Sequence, residues 1–243
     1  MTGAYITHNG GNDWREFNLK TRVDAFAFDP IDSNTIYAGS TALFRSEDNG
    51  EKWEMVFPNP DTVVEERKIG DHSGADFVSL DNWPGGRLSS IRIDREQNDH
   101  VYIAINSKHP NKGVSIFFTR DSGKSFVELC NIDCANVHSL YIDTASPCDN
   151  RRVFIFADTG IYNISEMERV LKPVQIPCQI KTITHAAWGF NKAGSIPTFY
   201  ITSPSQWNDG KLASGVWKSN DLGVNWSQLT PVVDENIAVP KVE

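Results

Sequence analysis

Four aspartates in this chain are candidates for acid and base chemistry. Asp76 and Asp81 lie in one long segment, whereas Asp158 and Asp209 each lie within two residues of a glycine in short segments. Two carboxyl groups about 5 to 9.5 Å apart can cleave a glycosidic bond, one as acid and the other as base or nucleophile. We therefore predict a catalytic pair, either Asp158 with Asp209 or Asp76 with Asp81.

A simpler interpretation competes for two of these residues. Asp close to Gly is typical of tight turns, in which the carboxylate accepts backbone N–H bonds. Turn chemistry alone favours this role for Asp158 and Asp209. Geometry distinguishes the hypotheses, because a catalytic pair converges in a concave pocket and raises at least one carboxyl pKa.

Aromatic and imidazole side chains accompany the aspartates in sequence. Trp83 lies two residues after Asp81, and Trp207 lies two residues before Asp209. Flat indole rings provide large apolar contact area, so we predict Trp83 and Trp207 as stacking platforms for a ligand. His72 and His109 lie in segments expected on the same face and are further ligand-binding candidates.

The elements that must position these residues are indicated by a repeated octapeptide. It occurs four times, as THNGGNDW (7–14), SEDNGEKW (46–53), TRDSGKSF (119–126) and SNDLGVNW (219–226). A short Asp or Asn side chain accepts N–H bonds within a turn, while Gly adopts positive φ. We predict that each octapeptide turn joins two antiparallel strands. The residues predicted to fix these turns are Asn9, Trp14, Asp48, Trp53, Asp121, Phe126, Asp221 and Trp226.

The segments between the octapeptide turns alternate apolar and small residues, as strands do. Residues 22–30, 35–40, 42–45 and 53–57 read as four strands within roughly 35 residues, the sheet size of a propeller blade. We predict an all-β propeller with blades at residues 1–22 (outer half), 23–60, 87–130, 137–176 and 180–230. Residues 59–86 form an insertion loop and residues 231–243 a tail. The fourth blade has lost the octapeptide at Ser165–Glu168.

Ring closure is the open question of this pattern. An uncovered edge strand invites aggregation, so propellers join their first and last blades. One alternative is that the tail, at residues 236–239, donates a strand and closes a small ring. The expectation we favour is that upstream blades of a longer propeller are missing from this chain.

The octapeptide resembles the Asp-box, or BNR, repeat Ser/Thr-x-Asp-x-Gly-x-x-Trp. Asn9 and Phe126 are mild departures from that pattern. The resemblance implies a β-propeller like those of sialidases, xyloglucanase-type glycoside hydrolases, sortilin-type receptors and photosystem assembly factors. It also implies an extracellular or periplasmic location, although the chain shows no signal peptide. The Arg-Ile-Pro start motif of sialidases is absent. The order of strand, Asp-Pro turn, Tyr-containing strand and octapeptide is more similar to the blades of xyloglucanase-type enzymes.

Composition limits the partners of the chain. A net charge of -8 argues against nucleic acid or an anionic membrane surface, and no apolar run is long enough to span a membrane. The six histidines and four cysteines match no zinc spacing, so we predict no metal and no cofactor. We interpret Cys130, Cys134, Cys148 and Cys178 as small buried thiols, with disulfides as the alternative.

Two functions remain open at this point. One is a carbohydrate-active propeller that binds or cleaves a glycan on the face opposite the octapeptide turns. The other is a non-enzymatic scaffold for a protein ligand. We expect Trp14, Trp53, Trp217 and Trp226 to belong to the core in either case, and Trp188 as well.

Overall fold

The computed structural model describes residues 4–68, 74–107, 113–192, 194–208, 211–229 and 233–234. The described residues are almost entirely β, with a single 3-10 turn at Pro60–Thr62. This follows from short runs rich in β-branched and aromatic residues that are bounded by turn residues, a pattern that favours strands. No helix in these ranges is long and apolar enough to cross a membrane.

The first two sheets in chain order differ in size. Unit 1 is a two-stranded sheet and unit 2 a four-stranded antiparallel sheet. Unit 1 contains β1 (Ala4–Ile6) and β2 (Arg15–Phe17). Unit 2 contains β3 (Ala25–Phe28), β4 (Ile36–Gly39), β5 (Leu43–Ser46) and β6 (Glu54–Phe57).

The segment predicted as an insertion loop contains regular structure. After the 3-10 turn, β7 (Val63–Lys68) pairs antiparallel with β8 (Ala75–Ser79). Ala75 and Phe77 are buried in a cluster with Leu19 and Phe44. This β7–β8 hairpin is therefore anchored on units 1 and 2, because alternate residues of β8 supply an apolar face.

Three more antiparallel sheets follow the hairpin. Unit 3 contains β9 (Gly86–Ile93), β10 (Val101–Ser107), β11 (Gly113–Thr119) and β12 (Val127–Ile132). Unit 4 contains β13 (Val137–Asp143), β14 (Arg152–Ala157), β15 (Gly160–Ser165) and β16 (Lys172–Val174). Unit 5 contains β17 (His185–Gly189), β18 (Thr198–Asn208), β19 (Lys211–Ser219) and β20 (Ser227–Gln228), and β21 (Val233–Asp234) pairs with β19.

The first strands of the four-stranded units lie side by side, in the order β3, β9, β13 and β17. The core lies between successive sheets rather than within them. One cluster joins Tyr37 of unit 2 to Ile103 of unit 3, and another joins Phe156 of unit 4 to Phe199 of unit 5. Each sheet is therefore stabilised by apolar contact with its neighbours.

The octapeptide turns repeat one hydrogen-bond pattern. In residues 46–53, Gly50 N donates to Ser46 Oγ at 2.8 Å and Lys52 N donates to Asp48 Oδ1 at 2.7 Å. The other three turns repeat both bonds at 2.9 to 3.0 Å. The hydroxyl and the Asp or Asn side chain thus satisfy backbone donors that the turn leaves unpaired.

The glycine of these turns is required by conformation and by space. Gly50, Gly123 and Gly223 have φ of +84°, +95° and +87°. A Cβ on Gly123 would lie 3.2 Å from Val56 Cβ in the preceding unit. The turn glycine therefore lets each unit approach the third or fourth strand of the unit before it.

The sequence predicts that Trp14, Trp53, Trp188, Trp217 and Trp226 are core residues, and this prediction is wrong for Trp14. Trp14 is 60% exposed, whereas Trp217 is buried. Trp53 and Trp226 are half-buried, and Trp53 stacks on Phe17 of unit 1 with ring centroids 4.8 Å apart. Burial of this aromatic position depends on a preceding unit, and no described residues cover Trp14.

Candidate ligand-binding site

The face opposite the octapeptide turns is built from two kinds of connection. Turns between second and third strands emerge there, as do the segments that lead from one unit to the next. Asp158 lies in the turn between β14 and β15, and Asn136 lies in the segment between units 3 and 4. Asp158 N donates to Asn136 O at 3.0 Å, which joins the two connections.

The Asp158 carboxylate is held by backbone donors. Its Oδ1 accepts bonds from Ala135 N at 3.2 Å and from Asn136 N at 3.3 Å. Its backbone oxygen accepts a bond from Ile183 N at 2.9 Å, which reaches the segment before unit 5. Among the described residues, none donates a hydrogen bond to Oδ2.

Two histidines lie beside these connections, at the starts of β13 and β17. The rings of His138 and His185 stack with centroids 6.0 Å apart and an interplanar angle of 28°. His138 Nε2 lies 2.9 Å from Ile183 O, so this nitrogen carries the proton and donates. His138 is half-buried and His185 is exposed. The exposed part of the two imidazole rings therefore lies near the segment 135–136, whose backbone N–H groups bond to Asp158.

Asn106 adds an unsatisfied acceptor at the end of β10. Its Nδ2 donates to Asn136 Oδ1 at 3.5 Å, whereas its buried Oδ1 has no hydrogen-bond partner among the described residues. A buried amide oxygen without a donor is costly, so a ligand or water that donates to it is favoured.

Two thiols, Cys130 and Cys134, pack in the apolar cluster between units 3 and 4. Burial, with a further contribution from the Asp158 charge, raises the pKa of the Cys134 thiol to about 11. Burial raises the pKa of Cys130 to about 12, with Glu128 as the next cause. Both thiols are therefore protonated at neutral pH and take no part as nucleophiles. All four cysteines are unpaired, and Cys148 and Cys178 are exposed, so the interpretation of all four as buried thiols is wrong for these two.

Asp76 and Asp81, the two catalytic candidates in the segment 59–86, lie in a hairpin strand and in a hydrogen-bonded turn respectively. Asp81 accepts bonds from Asn59 N at 2.8 Å on Oδ2 and from Trp83 N at 2.9 Å on Oδ1. Asp76 lies opposite Arg67 in the register of the β7–β8 hairpin. Both carboxylate oxygens of Asp81 thus hold the ends of the segment together.

Trp83 lies in the core rather than on the surface. It is 8% exposed, and its ring packs edge to face against Phe57 with centroids 5.1 Å apart. An indole buried in this way offers little surface for a sugar ring. The sequence favoured an exposed position because Trp83 follows a polar segment, whereas the chain returns to the core there.

Several predicted residues are not described in their side chains. Asp209, His72 and His109 lie outside the described residues. Trp207 belongs to β18, but its side chain also lies outside what the structure describes. The structure thus places Asp158 in a site with His138, His185 and Asn106, and it neither joins nor separates Asp158 and Asp209.

The octapeptide turns contain carboxyl groups whose pKa is lowered. Hydrogen bonds from backbone N–H groups lower the pKa of Asp48 and of Asp221. The largest contribution comes from Lys52 N for Asp48 and from Asn225 N for Asp221. The described residues contain no group of three His, Cys, Asp or Glu side chains that would hold a metal ion.

The histidine pair was missed by sequence reasoning. His138 and His185 are 47 positions apart, and neither spacing nor motif links them. The available signal was positional, because each lies at or next to the start of the first strand of its unit. Equivalent positions in successive blades lie side by side.

Solved structures similar to this chain are propellers of several classes. An ancestral GH74 enzyme has a TM-score of 0.62 at 19% identity over 94% of this chain and 28% of its own length. The GH74 xyloglucanase from Xanthomonas campestris has a TM-score of 0.52 at 17% identity over 86% of this chain and 31% of its own. YCF48 bound to D1 peptide has a TM-score of 0.55 at 14% identity over 96% and 62%.

These similarities establish the fold. The chain is an all-β propeller of four-stranded antiparallel blades, as predicted. It spans less than a third of the length of the two GH74 enzymes. No family model matches the chain, and no curated protein matches it. The neighbours include both glycoside hydrolases and a peptide-binding propeller.

Proposed function

We propose that this propeller binds a neutral glycan on the face opposite the octapeptide turns, through Asp158, His138, His185 and Asn106. The observation that carries the proposal is the Asp158 carboxylate, which is fixed through Oδ1 and has no donor to Oδ2 among the described residues. A carboxylate oxygen, an imidazole and an amide oxygen are suitable partners for sugar hydroxyls. The GH74 neighbours favour a β-glucan or xyloglucan oligosaccharide.

We propose binding rather than cleavage. Glycosidic cleavage needs a second carboxyl about 5 to 9.5 Å from the first. Asp81 uses both oxygens for backbone donors, and Asp158 uses one. This is the behaviour of turn residues, so catalysis would depend on Asp209, on Asp76 or on groups outside this chain.

The architectural part of the proposal is that the octapeptides are Asp-box turns and that the five units belong to one propeller. Two repeated hydrogen bonds support this proposal. In each octapeptide the N–H of the fifth residue donates to the hydroxyl oxygen, and the N–H of the seventh residue donates to the Asp or Asn side chain. The side-by-side order of the first strands also supports it.

A scaffold for a protein ligand is the second candidate. It is favoured by β7, whose residues Val64, Glu65, Glu66, Arg67 and Lys68 are all exposed. A projecting charged strand can carry electrostatic recognition of a partner. Reversing both Glu65 and Glu66 to Lys would then weaken partner binding while leaving glycan binding unchanged.

The experiment is titration calorimetry with xyloglucan and β-glucan oligosaccharides. We expect saturable binding to the wild-type chain and at least about 10-fold weaker binding by Asp158→Asn, since a bond to a charged group contributes about 1.5 to 3 kcal/mol. Asp149→Asn is the matched control, because Asp149 is exposed on the octapeptide face. No binding to the wild type, or equal weakening in both variants, would contradict the proposal.

A further inference from the structure

Two arginines without a carboxylate partner lie together in this chain. Among the described residues, seven arginines form ion pairs with Asp or Glu, as expected for a chain with a net charge of -8. Arg92 and Arg95 belong to the described arginines that form no such pair. Their positive charges are therefore not neutralised by the part of the chain that the structure describes.

Arg92 is half-buried in β9 and contacts neutral acceptors. Its Nη1 donates to Ile91 O at 2.8 Å and its Nη2 donates to Ser139 Oγ at 3.3 Å. Burial lowers the pKa of Arg92, and no described carboxylate counteracts this effect. Because a partly buried charge is costly without a counter-ion, an anion bound beside this guanidinium is favoured.

The fold does not require an arginine at this position. The first strands of units 2, 3 and 4 each lead to an aspartate whose carboxylate accepts a bond from the backbone N–H two residues later. Two positions before this aspartate, the three units have Ala27, Arg92 and Tyr141 respectively. The arginine is thus particular to unit 3, and the packing of the blades does not explain it.

Arg92 and Arg95 line one cavity, where β9, β13 and β17 and the turns after these strands meet. Arg95 Nη2 donates to Thr144 Oγ1 at 3.0 Å, and its guanidinium carbon lies 4.2 Å from the centre of the Phe190 ring. The half-buried rings of Trp188 and Phe190 form an apolar wall. None of the described residues that line this cavity is acidic.

The size of the cavity limits the group that can enter it. Its volume is about 50 Å³. One water molecule needs roughly 10 to 15 Å³ of such space, so the cavity holds a group of a few heavy atoms rather than a sugar ring. A carboxylate is of this size, and its planar geometry matches the donor fork of arginine.

We propose that this cavity, the Arg92–Arg95 cleft, binds the carboxylate of a small organic acid whose apolar or ring part rests against Trp188 and Phe190. Among the described residues neither arginine Nε has an acceptor, so both guanidinium groups retain donors for the ligand. The turns beside the cleft join first to second strands and therefore lie at the octapeptide end of the sheets. The inference is independent of the glycan proposal, which concerns the opposite face.

The probe is benzoate, which joins a carboxylate to a flat apolar ring, titrated into the full chain and followed by amide chemical shifts. We expect saturable binding at one site. Arg92→Met and Arg95→Met should each bind at least about 10-fold more weakly, because each removes a charge-assisted hydrogen-bond donor. Arg87→Met is the matched control and should bind as the wild type does. Arg87 is also half-buried in β9 and forms no ion pair among the described residues, but it does not line the cleft.

Two further ligands test the chemistry of the cleft. Benzamide is the neutral analogue of benzoate, and we expect no saturable binding. Phenyl phosphate carries a larger anionic group, and we expect it to bind more weakly than benzoate. Equal binding of benzamide would assign the interaction to the ring alone, and tighter binding of phenyl phosphate would replace the carboxylate with a phosphate.

Three other results would overturn the inference. The first is no saturable binding of benzoate by the wild type. The second is equal weakening in Arg87→Met, which would indicate a general effect of charge. The third is binding that appears only after residues 235–243 are deleted, which would assign the cleft to the chain's own tail. Arg95 is exposed, so Arg95→Met should unfold at the wild-type temperature and decides the test if Arg92→Met is unstable.

Discussion

Arg151 Nε lies 2.6 Å from Asp94 Oδ2, and both side chains are almost completely buried. The pair joins unit 4 to unit 3, because Asp94 follows β9 of unit 3 and Arg151 precedes β14 of unit 4. The guanidinium also donates to Glu96 Oε2 at 2.9 Å and to Thr144 O at 3.0 Å. Each of the three guanidinium nitrogens thus has at least one acceptor, and hydrogen-bonded partners are what a buried charge requires.

Arg151→Met should strongly destabilise the fold. The substitution leaves the Asp94 carboxylate buried without its cation, which typically costs about 3 to 5 kcal/mol of unfolding free energy. Urea unfolding followed by tryptophan fluorescence measures this change. Arg67→Met is the control, because the exposed Arg67–Glu65 pair contributes little. Equal stability of both variants would contradict the assigned role of Arg151.

Acid should weaken the propeller through its octapeptide carboxyls. The pKa values of Asp48 and Asp221 are lowered from 3.8 in the folded chain, first by the N–H groups of Lys52 and Asn225 respectively. A lowered folded-state pKa means that stability is complete above about pH 4 and is lost as the pH falls through the folded values. Asp48→Asn/Asp221→Asn should reduce this loss, measured by urea unfolding at pH 7 and pH 2.5. A pH dependence unchanged by the double variant would contradict the explanation.

Alanine at two turn glycines should separate strain from crowding. Gly10 has φ of +70°, and a Cβ added there would meet no heavy atom within 4 Å, whereas Gly123 has φ of +95° and lies against Val56. Gly10→Ala should cost about 1 to 2 kcal/mol from backbone strain alone. Gly123→Ala should cost more, because the added methyl also displaces unit 2. Calorimetric unfolding of both variants checks the order, and similar costs for the two variants would show that the contact with Val56 does not matter.

The thiols should fall into two classes. Cys148 and Cys178 are exposed, whereas burial raises the pKa of Cys130 to about 12 and of Cys134 to about 11. Ellman's reagent at pH 8 should therefore modify two thiols rapidly and the other two only on unfolding. Cys148→Ser/Cys178→Ser should abolish the fast phase. Four thiols reacting at one rate would contradict the burial of Cys130 and Cys134.

The fold was predictable because its signals are local. Each octapeptide turn is defined by hydroxyl, Asp or Asn and Gly within five residues, and strands alternate around it. Unit 4 was recognised from its strands although its octapeptide is lost. There Glu166 is buried and accepts bonds from Tyr102 and Arg120 of unit 3, a role that its sequence position does not reveal.

The errors arose where burial depends on distant neighbours. Trp14 and Trp53 occupy the same position of the octapeptide, but among the described residues only Trp53 of these two packs against a preceding sheet. Trp83 follows a polar segment and nevertheless enters the core beside Phe57. The site itself joins Asp158, His138 and His185 from two units, and no single stretch of sequence contains that arrangement.

The most direct test of the proposed function is amide chemical-shift mapping of the full chain during titration with a xyloglucan oligosaccharide. The account predicts saturable shifts at residues 135–138, 158–160 and 183–185, with the octapeptide turns unchanged. Shifts confined to the octapeptide turns, or no shifts at all, would contradict a glycan site on the opposite face.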